Sequence, residues 1–219
     1  MARADFCMHA VVGTGWHPRA ERVYGACLRQ PKGKRPMILL ILGMALWWVA
    51  HLFKRAAPGP RLAMGDSGKA VVAVAVILSV VLMVIGYRGA EYVSLWQPPA
   101  FLRHINNLLM LLAFYLYAAS GMKTRITAVI RHPQLTAVKT WAVAHLIAPN
   151  NGDLASVVLF GGLLAWAVVS VIVINRATPR PAPPPPASMG KEIGAVVGAV
   201  VVMGVVGGVH TWLGYNPFR

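Results

Sequence analysis

Two stretches of this chain carry no charge over lengths that suit a membrane crossing: AVVAVAVILSVVLMVIG at 70–86 and LASVVLFGGLLAWAVVSVIVI at 154–174. A helix crosses the roughly 30 Å hydrocarbon layer with about 20 mostly apolar residues. Such a segment cannot leave its backbone polar groups bare in lipid, and it is too long for a barrel strand. Apolar segments near 37–53, 70–87, 104–122, 134–149, 154–174 and 192–213 therefore predict an all-α fold, a polytopic transmembrane bundle of about six helices. Composition agrees, because 57% of the residues are hydrophobic and only 12% charged. A soluble domain carries about twice that charge.

The connectors are short. Asn150, Asn151, Gly152 and Asp153 have the residue types of a tight turn and predict an antiparallel hairpin of the fourth and fifth spans. Residues 178–187, TPRPAPPPPA, predict a stiff polyproline spacer.

Charge sets an expected orientation. The connectors after spans one, three and five hold Lys54, Arg55, Arg61, Lys69, Lys123, Arg125, Arg131, Arg176, Arg180 and Lys191, whereas the opposite side holds Arg88, Arg103 and Arg219. The positive-inside rule places the first group in the cytoplasm and both ends of the bundle outside. Residues 1–36 would add seven basic residues to the outer side and cancel this bias. We therefore expect a basic N-terminal extension that is disordered or lies upstream of a start at Met37, followed by one transmembrane domain over 37–219. The extension lacks the apolar core of a signal peptide and contains both cysteines, Cys7 and Cys27. Setting the extension aside lowers the formal charge of +15, and the remainder is read as serving topology and contact with anionic membrane lipids, with no nucleic-acid partner.

Polar side chains at membrane depth are functional candidates because burying them is costly. The expected orientation sorts them into two layers. His104, Asn106, Asn107, His145, Asp153 and His210 lie toward the outer face, and His51, Lys54, Arg55, Arg131, His132 and Lys139 toward the cytoplasm. No HExxH, GxSxG, phosphate-loop or dinucleotide fingerprint occurs, and six acidic residues leave little for carboxylate pairs or hard-metal cages. Neutral imidazole suits haem iron or copper, and histidines from two helices can hold a haem between them. In the last span, Gly194 with Gly198 and Gly204 with Gly208 have the GxxxG spacing that permits close helix approach. The tryptophans Trp47, Trp48, Trp96, Trp141 and Trp212 read as interfacial anchors or core fillers.

The run RHPQLTAVKTWAVAHLIAPNNGDLAS, from Arg131 to Ser156, resembles the signature of the NnrU family: a His-Pro pair, a helix bearing Trp-Ala-x-Ala-His, then Asn-Gly-Asp. LWWVAHLFKR, RHINNLLMLLAFYLYAASGMKTR and HTWLGYNPF are similar to that family as well, so the resemblance covers residues 37–219. Ala137 departs from an expected glycine, and Pro149 and Asn150 lengthen the turn.

The resemblance implies a multi-pass protein of the bacterial inner membrane and an accessory role in denitrification, in expression or assembly of the nitrite and nitric oxide reductases. That respiratory nitrogen-oxide reductase machinery is the implied partner. The family is also related to the 15-cis-zeta-carotene isomerases, similar in the His-Pro-Gln and Ala-His segments, which implies a second reading: an isomerase or redox enzyme using haem b on a lipophilic polyene. Carried over by motif, His51 and His145 are the implied iron ligands. The expected topology separates those two by roughly 15 Å in depth. Pairs within one layer meet more easily, namely His145 with His210 or His104, and His51 with His132. A small transporter is a third reading, without an inverted repeat to support it.

Overall fold

The computed structural model describes residues 35–182, 185 and 187–218. The expectations for residues 1–34, including Cys7 and Cys27, lie outside the described residues, as do Pro183, Pro184 and Pro186 of the proline-rich segment.

Among the described residues six helices of 15 residues or more carry the fold: α1 (Arg35–Ala56), α2 (Ser67–Gly89), α3 (Leu102–Met122), α4 (Pro133–Ile147), α5 (Leu154–Ala177) and α6 (Met189–Trp212). All but α4 are long and apolar enough to cross a membrane. With 15 residues α4 is about 22 Å long, so it falls short of a full crossing. Its C-terminal limit corrects the expected 149 to Ile147, because Ala148 turns to an extended conformation ahead of Pro149. The first helix starts two residues before Met37 and runs past residue 53 to Ala56.

Short connectors make successive helices run in opposite directions. The ends of α2, α4 and α6 and the starts of α3 and α5 gather at one end, here the hairpin end. The ends of α1, α3 and α5 and the starts of α2, α4 and α6 gather at the other, the basic end. In space α2 packs on α1, α1 on α5, α5 on α4, α4 on α3, and α3 on α6. The bundle has an apolar core that also holds polar side chains, and its surface is apolar as well. Ser79, Ser156, Ser170, Asn106 and Asp153 are buried, while Val74, Ile77, Ile85, Val197, Val201 and Val205 are exposed. An apolar surface of this extent needs lipid around it, and the chain is a multi-pass helical membrane protein.

The tightest crossing is that of α1 and α2. A Cβ on Gly43 would sit 2.8 Å from the Met83 nitrogen and the Ser79 carbonyl oxygen, and one on Gly86 would fall on the Leu40 backbone. The glycine spacing in α6 does not play this part. A Cβ on Gly198, Gly204 or Gly208 would meet nothing within 4 Å, and one on Gly194 only the Met122 side chain. Close approach needs a small residue against the partner's backbone, and Gly43 of α1 and Gly86 of α2 each supply one.

The turn after α4 does more than join α4 to α5. Asn150 takes a left-handed conformation, φ 71°, and the Gly152 carbonyl accepts from the Leu95 and Trp96 amides at 2.7 and 3.1 Å. Leu154 N–H donates to Val93, 2.9 Å. The α2–α3 connector is thereby docked onto the hairpin. Only glycine fits at 152, where a Cβ would run into the Trp96 carbonyl.

Candidate functional site

His145 stands in the last turn of α4, where a run of small residues, Ala137, Ala142 and Ala144, packs the helix into the bundle. Its Nδ1 lies 2.9 Å from the Trp141 carbonyl oxygen. A carbonyl only accepts, so Nδ1 carries the proton and Nε2 keeps a free lone pair. His210 repeats the arrangement in α6, with Nδ1 2.8 Å from the Val206 carbonyl, and His51 repeats it in α1, 2.9 Å from Trp47. The spacing i to i−4 along a helix makes this contact available, and it fixes both ring orientation and tautomer.

His145 and His210 line one cavity of about 530 Å³ at the hairpin end. Asn106 and Asn107 from α3, Tyr87 from α2 and Phe160 from α5 complete its walls, so five helices contribute. Phe160 stacks on the His145 ring, centroids 4.6 Å apart, and meets Trp141 edge-on at 5.2 Å. It is placed there by a π-helical stretch, Val157–Gly161, that interrupts α5. One extra residue per turn rotates the side chains that follow, and such stretches recur at functional sites.

Behind Tyr87 runs a chain of hydroxyls to a buried carboxylate. The Ser156 hydroxyl donates to Asp153 Oδ1 and lies 3.0 Å from the Tyr87 hydroxyl. With its proton committed to Asp153, Ser156 accepts from Tyr87. The other Asp153 oxygen accepts from the amides of Ala155 and Ser156, which caps the start of α5. The acceptors among the lining residues are Nε2 of His145, Nε2 of His210, the Tyr87 oxygen and Asn106 Oδ1, which is buried without a partner, while the Asn107 amide, whose Oδ1 accepts from Asn106, adds a donor. Such a lining suits a Lewis acid or a ligand rich in hydrogen-bond donors.

The structure sorts the histidines, asparagines and aspartate singled out in the sequence. Asn106, Asn107, His145 and His210 meet at the hairpin-end cavity, and Asp153 supports it through Ser156 and Tyr87. His104, in the first turn of α3, is exposed and does not line it. His51 and His132 line a separate cavity of about 430 Å³ at the basic end. There His51 packs between Trp47 and Trp166, centroids 4.0 and 4.8 Å away, and His132 Nε2 donates to Asn175, 2.8 Å. Among the described residues no three His, Cys, Asp or Glu side chains are grouped to hold a bare metal ion.

Haem b is the cofactor the resemblance implies, and its fit can be tested against this arrangement. The donor chemistry fits, since neutral imidazoles with free Nε2 atoms stand in an aromatic-walled cavity. The pairing of His51 with His145 does not, because the two line cavities at opposite ends of the bundle. His145 with His210 is the pair that shares a cavity. Tyr87, Ser156 and Phe160 were missed by sequence reasoning. A tyrosine near a helix end, a serine in an apolar run and a phenylalanine in VVLFG carry no local signal of their roles.

A family model described as NnrU protein matches residues 39–217. No curated protein and no solved structure shows significant similarity to the chain. The family model spans most of the helical bundle, both histidine cavities and the hairpin, and the chain belongs to the NnrU family.

Proposed function

We propose that this NnrU-family protein binds haem b in the hairpin-end cavity, with His145 and His210 as the iron-holding side chains. The observation that carries this reading is that two imidazoles from different helices, each locked with Nε2 free, line one aromatic-walled cavity. Trp141 and Phe160 would cover the ring face beside His145 and exclude water. A haem b there would supply a redox-active iron, or a Lewis acid able to act on a conjugated lipophilic substrate. Tyr87, held by Ser156, faces the same space with an oxygen that can take a hydrogen bond or a proton.

The test is an absorption spectrum with a pyridine haemochrome assay on the full chain, purified in mild detergent from haem-supplemented cells. Near-stoichiometric haem that is lost in His145→Ala and His210→Ala and retained in His51→Ala is the expected result. Folded protein with neither haem nor iron overturns the reading. Haem lost in His51→Ala but retained in His210→Ala would restore the pair implied by the family resemblance.

Family membership favours a second reading at the level of the cell: an accessory factor of the bacterial inner membrane serving the respiratory nitrogen-oxide reductases. Deleting the gene in a denitrifying host should then lower nitrite and nitric oxide reductase activity, and His145→Ala should fail to restore it. Unchanged reductase activity on deletion sinks this role and leaves the haem reading standing.

A further inference from the structure

The basic-end cavity has a chemistry opposite to that of its neighbour. Arg55 and Arg131 line it, and no Asp or Glu does. Its floor is the start of α4, where Pro133 occupies the first turn and His132 provides no side-chain cap. The first α4 amide with a backbone acceptor is that of Thr136, bonded to the His132 carbonyl at 2.9 Å. Among the described residues the amides of Gln134 and Leu135, both lining the cavity, have no acceptor. A helix of 15 residues with a bare N-terminus presents unsatisfied N–H groups and the positive end of its dipole.

Two side chains independently ask for an acceptor here. Trp166 lines the cavity, is only 7% exposed, and its indole N–H is buried without a partner. Arg131 has its Nη2 held by the carbonyls of Thr178 and Pro179, at 2.7 and 3.1 Å, while its Nε–H is buried and unpaired. Buried N–H groups in native proteins are rarely left orphaned. A guanidinium fixed on one edge is pre-organised for an oxyanion on another.

We propose that this cavity binds a phosphate group, held by Arg131, Arg55, the Trp166 indole and the N-terminal amides of α4. The phosphate group is that of an anionic phospholipid or of free inorganic phosphate, which share the chemistry the cavity recognises. The cavity opens where the spans end among basic residues, a depth at which lipid headgroups lie. Nothing in this inference depends on haem at the other end.

The test is thermal unfolding of the full chain in a phosphate-free, uncharged detergent, in two arms. One arm adds inorganic phosphate against chloride at equal ionic strength. The other adds phosphatidylglycerol against phosphatidylcholine in mixed micelles. A rise in unfolding temperature in either arm is expected, with the apparent affinity falling about tenfold or more in Arg131→Gln and measurably in Trp166→Phe and Arg55→Gln. Arg88→Gln, at the hairpin end, should respond like the unsubstituted protein. A response to lipid alone identifies the headgroup as the source, and one to phosphate alone the free anion. No response in either arm overturns the proposal, as does an equal response in all three cavity variants. Should Arg131→Gln fail to fold, Trp166→Phe and Arg55→Gln decide, since neither residue makes another polar side-chain bond among the described residues.

Discussion

The Tyr87 hydroxyl lies 3.0 Å from that of Ser156, 69 residues away in the chain, and joins α2 to α5 beside the histidine cavity. The bond is one link of a relay that ends on the buried Asp153 carboxylate. Removing each member should have a graded effect. Tyr87→Phe deletes one donor and should cost about 1 kcal/mol of stability. Ser156→Ala strips a buried carboxylate oxygen of its hydroxyl partner and should cost more, about 1–3 kcal/mol. The double variant should cost less than the sum, because the two losses share a bond. Unfolding in mild detergent measures all three, and strict additivity would show that the hydroxyls do not interact.

The same relay makes a prediction about ligand binding that stability does not. Tyr87→Phe leaves the aromatic wall intact and removes only the oxygen facing the cavity. In haem-loaded protein it should shift the Soret band or the iron spin state without lowering the haem content. His145→Ala should lower the content itself. Identical spectra for Tyr87→Phe and the unsubstituted protein would place the hydroxyl out of reach of the ligand.

Glycine in this protein is consequential at the α1–α2 crossing and dispensable at Gly198, Gly204 and Gly208 of α6. Gly86→Leu would force the Leu40 backbone away and should destabilise the bundle by about 1–3 kcal/mol. Gly208→Ala enters open space and gains helix propensity, so it should be neutral or stabilise by up to about 1 kcal/mol. A loss for Gly208→Ala comparable to that for Gly86→Leu would reveal a partner surface on α6. Thermal unfolding of the two variants in one detergent makes the comparison.

These contrasts show where the sequence is legible. Hydrophobic runs long enough to cross a membrane are unambiguous, so 70–87 was read within three residues of Ser67–Gly89. Polar residues at membrane depth were also visible, because each is expensive there. His145, His210, Asn106 and Asn107 converge as members of one layer should. What periodicity cannot carry is which faces meet. The GxxxG spacing pointed to α6, yet Gly43 and Gly86, neither part of such a spacing, make the close contact. Likewise Asp153 stood out as a charge in a turn. Its bond to Ser156 depends on the first turn of α5 folding back on the cap, and the onward link to Tyr87 depends on a helix far away in the chain. Phe160 reaches His145 through a π-helical turn, for which VVLFG has no signature.

Orientation in the membrane can be settled with two exposed positions. Val129 sits in the α3–α4 connector at the basic end and is 73% exposed, and Glu91 lies exposed just past α2 at the hairpin end. The ten basic residues gathered at the basic end, against Arg35, Arg88 and Arg103 at the hairpin end, predict that Val129 faces the cytoplasm. With Cys7→Ser and Cys27→Ser as background, Glu91→Cys should react with a membrane-impermeant maleimide in intact spheroplasts. Val129→Cys should react only after permeabilisation. The reverse pattern would put the arginine-lined cavity outside and the histidine cavity toward the cytoplasm. A headgroup bound at Arg131 would then belong to the outer leaflet, and haem would be delivered to His145 and His210 from the cytoplasmic side.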